Sequence, residues 1–260
     1  MIYNRTKSPR KTLVRALCVS IGALVAIGQP GQAQDAAVPR TADEQARSWQ
    51  DISRLPDFWQ GTWQSIAPIA DDFSVTPEYT PAALDFIKKY KPAEDSPFTN
   101  CKPVGLPFVQ NIGGMPMKFF QSPGMIALYI ETSGVTRFIH TDGRAHTEQP
   151  NPSYLGESIG HWEGDTLVVD TNSFVDDHHW IDRGIPATDA LHIVERMRLI
   201  DAGKTLEIAY TLSDPKSWAG EWKMTKRFRR VDDQDITEAS CLPDLNEHMP
   251  STHSQVNVRQ

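Results

Sequence analysis

An all-β chain, an antiparallel meander closing into a β-barrel or half-barrel, is the fold class this sequence predicts, and three observations predict it. From Met125 onward, segments of strand composition follow one another with little between them but turn residues. Asp142-Gly143, Glu163-Gly164-Asp165 and Asp201-Ala202-Gly203 supply the Gly and Asp that short reversals need. Sequential strands in this number protect their edges only by stacking or closing.

The elements follow in chain order. Arg5, Lys7, Arg10, Lys11 and Arg15 precede the apolar run 16–27 and then small residues up to Ala33, the charged, apolar and small zones of a secretory signal peptide over 1–33. The apolar run is too short to span a bilayer, so no membrane insertion is expected after processing, and the localisation implied is periplasmic. Residues 34–56 form a polar lead-in, with a short helix around Asp43 to Trp49. A single barrel domain is expected over 57–245, followed by a disordered tail over 246–260. Its first strand is Trp59 to Ser65. One short helix covers Thr80 to Tyr90, where Leu84, Phe86 and Ile87 alternate with charged residues and Pro81 suits the first turn. Lys91 to Gly124, with six prolines and four glycines, is a long irregular crossing segment of the kind that often binds or covers ligands. Strands then follow over Met125 to Thr132, Thr136 to Thr141, Ser158 to Trp162, Thr166 to Thr171, Leu191 to Ile200, Lys204 to Leu212, Glu221 to Val231 and Ile236 to Cys241.

Charge narrows the partners. The chain has 33 acidic and 26 basic side chains, and five of the basic ones lie in the first 33 residues, so the remainder carries a formal charge of −12. Such a chain is a poor ligand for nucleic acid. Of three cysteines only Cys101 and Cys241 follow the export signal, and an even pair in an oxidising compartment reads as a disulfide. An oligomer is compatible with all of this.

Chemistry concentrates in Asn151 to Thr171, NPSYLGESIGHWEGDTLVVDT. Strand alternation puts Glu157, Ile159 and His161 on one face and Ser158, Gly160 and Trp162 on the other, with Val168 and Asp170 sharing a face of the next strand. An imidazole with two carboxylates close by suits acid/base work; the bland alternative is that Glu157 and His161 line the wet face of a sheet. Glu195 sits in phase with Leu191, Ile193, Met197 and Leu199, where burial would raise its pKa; the alternative is a pairing with arginine, for which Arg196, Arg198 and Arg227 to Arg230 are available. His192, Arg196 and Arg198 form a basic row on the opposite face. Tyr129, His140, Arg144, His146 and Tyr154 flank the hairpin and are placed to reach the same cavity. The loop Asp176 to Arg183 with His178 and His179 invites a metal reading, but its spacing matches no defined site, and no metal is assigned. No nucleophile elbow, phosphate loop or dinucleotide fingerprint is present, so no organic cofactor is expected.

Taken together, TDGR at Thr141 to Arg144, PSYLGESIGHWEGDTLVVDT, Asp182-Arg183-Gly184, DALHIVERMR at Asp189 to Arg198 and Ser213-Asp214-Pro215 resemble a large family of mostly uncharacterised exported proteins of environmental Gram-negative bacteria. The Gly61-Thr62-Trp63 triplet likewise resembles the entry of lipocalin-like barrels, where the Trp plugs one end. Departures from the family pattern are Ala145 in place of Pro, Ala187-Thr188 in place of His-Ser, and Leu242-Pro243 after the second cysteine. The family resemblance implies cofactor-independent lyase or decarboxylase chemistry on small aromatic compounds, with lignin-derived phenolics within that class. On that reading His161, Glu157, Tyr129, Asp170 and Glu195 are the catalytic candidates and Arg144, Tyr154, His192 and His179 hold the substrate. The alternative from a different class is a periplasmic lipocalin-like carrier of an apolar or aromatic molecule, without catalysis.

Overall fold

Residues 49–53, 55–58, 60–66, 76–97, 101–112, 116–131, 134–176, 179–182 and 184–237 are described by the computed structural model. The signal-peptide expectation, the last strand beyond Thr237, Cys241 and the tail lie outside them. The strands are β1 (Thr62–Ser65), β2 (Pro116–Ser122), β3 (Met125–Ile130), β4 (Val135–His140), β5 (Glu157–Glu163), β6 (Thr166–Asn172), β7 (His179–Asp182), β8 (Ile185–Ala187), β9 (His192–Ile200), β10 (Thr205–Ser213) and β11 (Glu221–Val231). Nine of them close a barrel in the order β1-β11-β10-β9-β6-β5-β4-β3-β2, and β7 with β8 forms a separate ribbon. The fold is the all-β barrel that the strand succession predicts.

Every junction of the barrel is antiparallel except one. β4 and β5 run parallel and pair only at Ile139↔Ser158 and His140↔Ile159. The cause is residues 141–156, which carry the chain back along the barrel without forming a strand, so that β5 starts in the direction of β4. Inside this junction Gly160 brings the strands together: a Cβ there would stand 2.8 Å from Ile139 Cγ2 and 3.2 Å from Thr141 Cγ2.

The helices are short: α1 (Trp49–Ile52), α2 (Pro81–Lys89), α3 (Pro92–Asp95) and α4 (Phe108–Asn111). α2 is the expected helix, started by Thr80, whose hydroxyl accepts from the Ala83 amide at 3.2 Å, with Pro81 in the first turn. The crossing segment Lys91 to Gly124 is less irregular than its prolines suggest, since it holds α3, α4 and β2. β2 escapes a sequence reading because Met117-Lys118-Phe119-Phe120 does not alternate cleanly. The Asp176 to Arg183 loop likewise contributes β7. Residues 236–237, expected to open a last strand, have no regular structure.

The barrel interior is filled by side chains. Trp63 is fully buried, with its Nε1 donating to the Phe58 carbonyl at 2.8 Å. Arg230, its register partner, lies against Gly61, whose φ of +87° suits glycine. Met117, Phe119, Leu128, Ile139, Leu167, Val169, Ile193, Met197, Ile208 and Phe228 are buried in one contiguous cluster with Phe58, Leu106 and Phe108.

Candidate functional site

Amid that packing the interior carries a polar network with Glu195 at its centre, and a second fully buried cation, Lys226, lies in the inward phase of β11. Glu195 is 0% exposed and Arg137 1%. Arg137 reaches Glu195 with both terminal nitrogens, Nη1 to Oε1 at 3.0 Å and Nη2 to Oε2. Its Nε donates to Ser158 Oγ at 3.0 Å and its Nη2 to Thr171 Oγ1 at 2.8 Å, and the two hydroxyls lie 3.0 Å apart. Gln110 from α4 completes the set, its nitrogen facing Glu195 Oε1 at 3.1 Å and the Tyr210 hydroxyl at 3.3 Å, and its oxygen facing Arg137 Nη1 at 3.2 Å. Burial, with the Glu195 charge nearby, pushes the Tyr210 phenol well above its ordinary value. The arginine alternative for Glu195 therefore holds, but the partner is Arg137 of β4. Arg196 and Arg198 point outward from the same strand as Glu195, to Glu163 and Glu207 respectively.

The other candidates do not converge on this interior. β5 and β6 pair Ile159 with Asp170 and His161 with Val168, so Glu157, His161 and Asp170 stand on the outer wall. His161 is exposed and meets Glu163 at 3.2 Å, which is the wet-face arrangement. Tyr129 is outside as well, its hydroxyl donating to the Thr237 carbonyl at 3.0 Å. Arg144 folds onto Asp142 of its own turn, with Nε 2.9 Å from Oδ1, and its guanidinium holds the Asp142 carboxyl below the usual range. Tyr154 is half-buried in the crossing over 141–156, where its carbonyl accepts from the Leu106 amide at 3.1 Å. His179 lies on β7, and its side chain, with Asp177, His178 and Arg183, is outside the described residues.

What the structure does assemble is a chain of hydrogen bonds on the outer wall. His146, delivered by the crossing, has Nδ1 3.1 Å from Glu157 Oε2 and Nε2 2.8 Å from Asp170 Oδ1. His192 of β9 places Nε2 2.7 Å from the other oxygen of Asp170. Thr147 fixes the far end by donating its amide to Glu157 Oε2 at 2.9 Å and its hydroxyl to Oε1. Asp170 is held below its ordinary pKa, first by the His192 bond and, against partial burial, by His146. Burial alone would raise Glu157, but the Thr147 and His146 bonds outweigh it and the net direction is down. The Asp170 bond raises His192, against partial burial. An imidazole held by a carboxylate that orients it has the form of a general acid/base pair. Glu157, Asp170 and His192 were legible as candidates; the linking role of His146 and the part of Thr147 were not, because no local spacing connects residue 146 to residue 170.

Glu157 also forms part of a cleft. Because β5 pairs only with the last two residues of β4, the first half of β4 faces the crossing across an open cleft of about 420 Å³. Thr136, Phe138 and His140 form one side, Thr147, Gln149, Asn151 and Glu157 the other, with Arg137 and Ser158 at the base. Beyond Thr136 a second depression of about 320 Å³ lies between Phe120, Tyr129 and Ile236. Among the described residues no group of three or more His, Cys, Asp or Glu is arranged to hold a metal ion, and no helix is long and apolar enough to cross a membrane.

No protein-family model and no curated protein matches the chain. Among solved structures it is similar to a secretary abundant heat soluble (SAHS) protein from Ramazzottius varieornatus, at 12% identity over 66% of this chain and 95% of that one, with a TM-score of 0.24. A TM-score this low carries nothing about function, and the barrel assignment rests on the strand order itself.

Proposed function

We propose that the protein binds a small organic molecule on the outside of its barrel, in the cleft between β4 and the 141–156 crossing. One observation carries this reading: the interior is closed by packed side chains, while the β4–β5 junction leaves a cleft with both polar and aromatic walls. The carrier alternative thus moves from the lumen to the seam. The test is ligand-observed and protein NMR with a small-molecule panel, against Thr136→Trp, which places an indole in the cleft from the outer face of β4. Shifts confined to Thr136, Phe138, Thr147 and Asn151, and lost in Thr136→Trp, support the site. Binding that survives the substitution refutes it.

A second reading has its own support. The Glu157, His146, Asp170, His192 chain begins at the cleft wall and ends at a half-exposed imidazole, which suits cofactor-independent lyase or decarboxylase turnover of a small aromatic compound. In that case His192→Gln lowers turnover of phenolic carboxylates by metal-free protein by about a hundredfold or more. No turnover of any of them by the wild-type chain removes the reading. We further propose that the chain belongs to the exported family its motifs resemble, that it is processed after Ala33 and works in the periplasm, and that Cys101 pairs with Cys241. The last is supported by Cys101 and Cys241 being the two cysteines that follow residue 33. Two free thiols in denatured, unreduced protein would exclude it.

A further inference from the structure

We propose that the cleft takes a neutral, hydroxyl-rich ring compound, a saccharide, with one ring stacked on Phe138 and the strip from Phe138 to Phe120 accepting its continuation. The proposal rests on the small-molecule reading above and narrows its ligand class.

Charge is the first argument. The charged groups at the cleft are already committed. Arg137 spends its guanidinium on Glu195, Ser158 and Thr171 at the buried base. Glu157 accepts from Thr147 twice and faces His146. Arg144, the nearest arginine of the crossing, is folded on Asp142. Among the described lining residues an anionic ligand meets no uncommitted arginine or lysine, and a cationic one meets only a carboxylate whose oxygens are in use. The remaining polar groups are the hydroxyls and amides of Thr136, Gln149, Asn151 and Ser153, with the His140 imidazole at one edge, and each of these side chains can both donate and accept. Such a set matches the hydroxyls of a sugar, which need donors and acceptors side by side.

Aromatic placement is the second argument. Phe138 is 52% exposed and Phe120 50%, although both are large apolar side chains on barrel strands. Register puts them in one row: Phe120 of β2 faces Ala127 of β3, which faces Phe138 of β4. The two rings are therefore two strands apart, roughly 10 Å at the usual inter-strand spacing, with the small Ala127 between them. Flat apolar faces at intervals, flanked by hydroxyls and amides, suit the alternating C–H faces and hydroxyl rims of a glycan chain. Thr136 borders both depressions, so the surface is continuous from one ring to the other.

The experiment titrates the full chain with neutral di- and tetrasaccharides from β-glucan, xylan and mannan, and separately with a phenolic carboxylate and its neutral phenol, by NMR and calorimetry. At least one tetrasaccharide is expected to bind. Phe138→Ala should weaken it tenfold or more, and Phe120→Ala should weaken the tetrasaccharide but leave the disaccharide within twofold. Both rings are on the outer face, and unchanged melting of each variant excludes a folding effect. If only the aromatic compounds shift cleft resonances, the saccharide proposal is overturned while the small-molecule reading stands. If no probe binds, both fall. Saccharide binding unaffected by Phe138→Ala places the site elsewhere and also overturns the proposal.

Discussion

Arg137→Met isolates what the interior ion pair does for the barrel. The substitution leaves Glu195, which is fully buried, with only the Gln110 amide among the partners described. Removing one member of a buried pair while the other charge stays costs about 3–5 kcal/mol. For a chain of this size that corresponds to a fall of roughly 6–20 °C in melting temperature, at about 2–4 °C per kcal/mol. Replacing both residues, Arg137→Met with Glu195→Met, removes both charges and leaves Ser158 and Thr171 bonded to each other at 3.0 Å. The double variant should sit within about 1–2 kcal/mol of wild type, since exchanging a buried pair for apolar groups is often neutral. Urea unfolding followed by far-UV circular dichroism gives the cycle, and with each single costing about 3–5 kcal/mol and the double about 1–2, a coupling free energy of about 4 kcal/mol or more is expected. A single substitution costing under 1 kcal/mol, or a double equal to the sum of the singles, would show that Glu195 is solvated or otherwise paired and reopen it as a proton-transfer group.

Three further outcomes follow from the outer wall. His161→Ala should leave melting and ligand affinity almost unchanged, because its only described partner is the exposed Glu163, and surface pairs contribute about 0–1 kcal/mol; a strong loss in either readout refutes the wet-face placement. The bonds at Asp170 should make stability peak between about pH 4 and 6.5, the ordinary carboxylate and imidazole values. Asp170 and Glu157 are lowered, so their contribution is present above the carboxylate range and lost as pH falls through their folded values; His192 is raised, so its contribution is complete below the imidazole range and lost as pH rises through its folded value. Urea midpoints from pH 3 to 9 give the profile, and an Asp170→Asn variant with an unaltered one would contradict it. Gly156→Ala should destabilise by about 2–4 kcal/mol, from left-handed strain plus steric conflict, since φ is +66° and a Cβ would stand 2.5 Å from the Asn172 carbonyl; a denaturation midpoint equal to wild type would contradict the geometry of the crossing.

The barrel and most strand positions were readable in the sequence because alternation and turn residues are local signals. Glu221 to Val231 alternates so regularly that its bounds coincide with β11. The faces were readable in part: alternation placed Glu157 and His161 together but not inside or outside, since Ser158, Gly160 and Trp162 on the opposite face are no more apolar to the eye. Arg137 was missed because Val135-Thr136-Arg137-Phe138-Ile139 puts an arginine in the inward phase and a phenylalanine in the outward one. The cleft was invisible, as it depends on a parallel pairing between segments that the chain connects without any strand.

Two of the barrel's nine junctions are brief: β4 with β5, and β1 with β2, where only Trp63↔Met117 and Gln64↔Pro116 are in register. They bound β2, β3 and β4, a continuous stretch of chain from Pro116 to His140. Few main-chain bonds attach this panel to the rest, so it is the unit with least to lose by detaching as a whole. Amide exchange within β2–β4 should then share one opening free energy below that of β9–β11. Arg137 belongs to the panel, whereas Glu195, Ser158 and Thr171 belong to the six strands opposite. The ion pair thus acts as a side-chain fastening where the backbone supplies little, and loosening it should turn a subglobal fluctuation of the β2–β4 wall into a populated state.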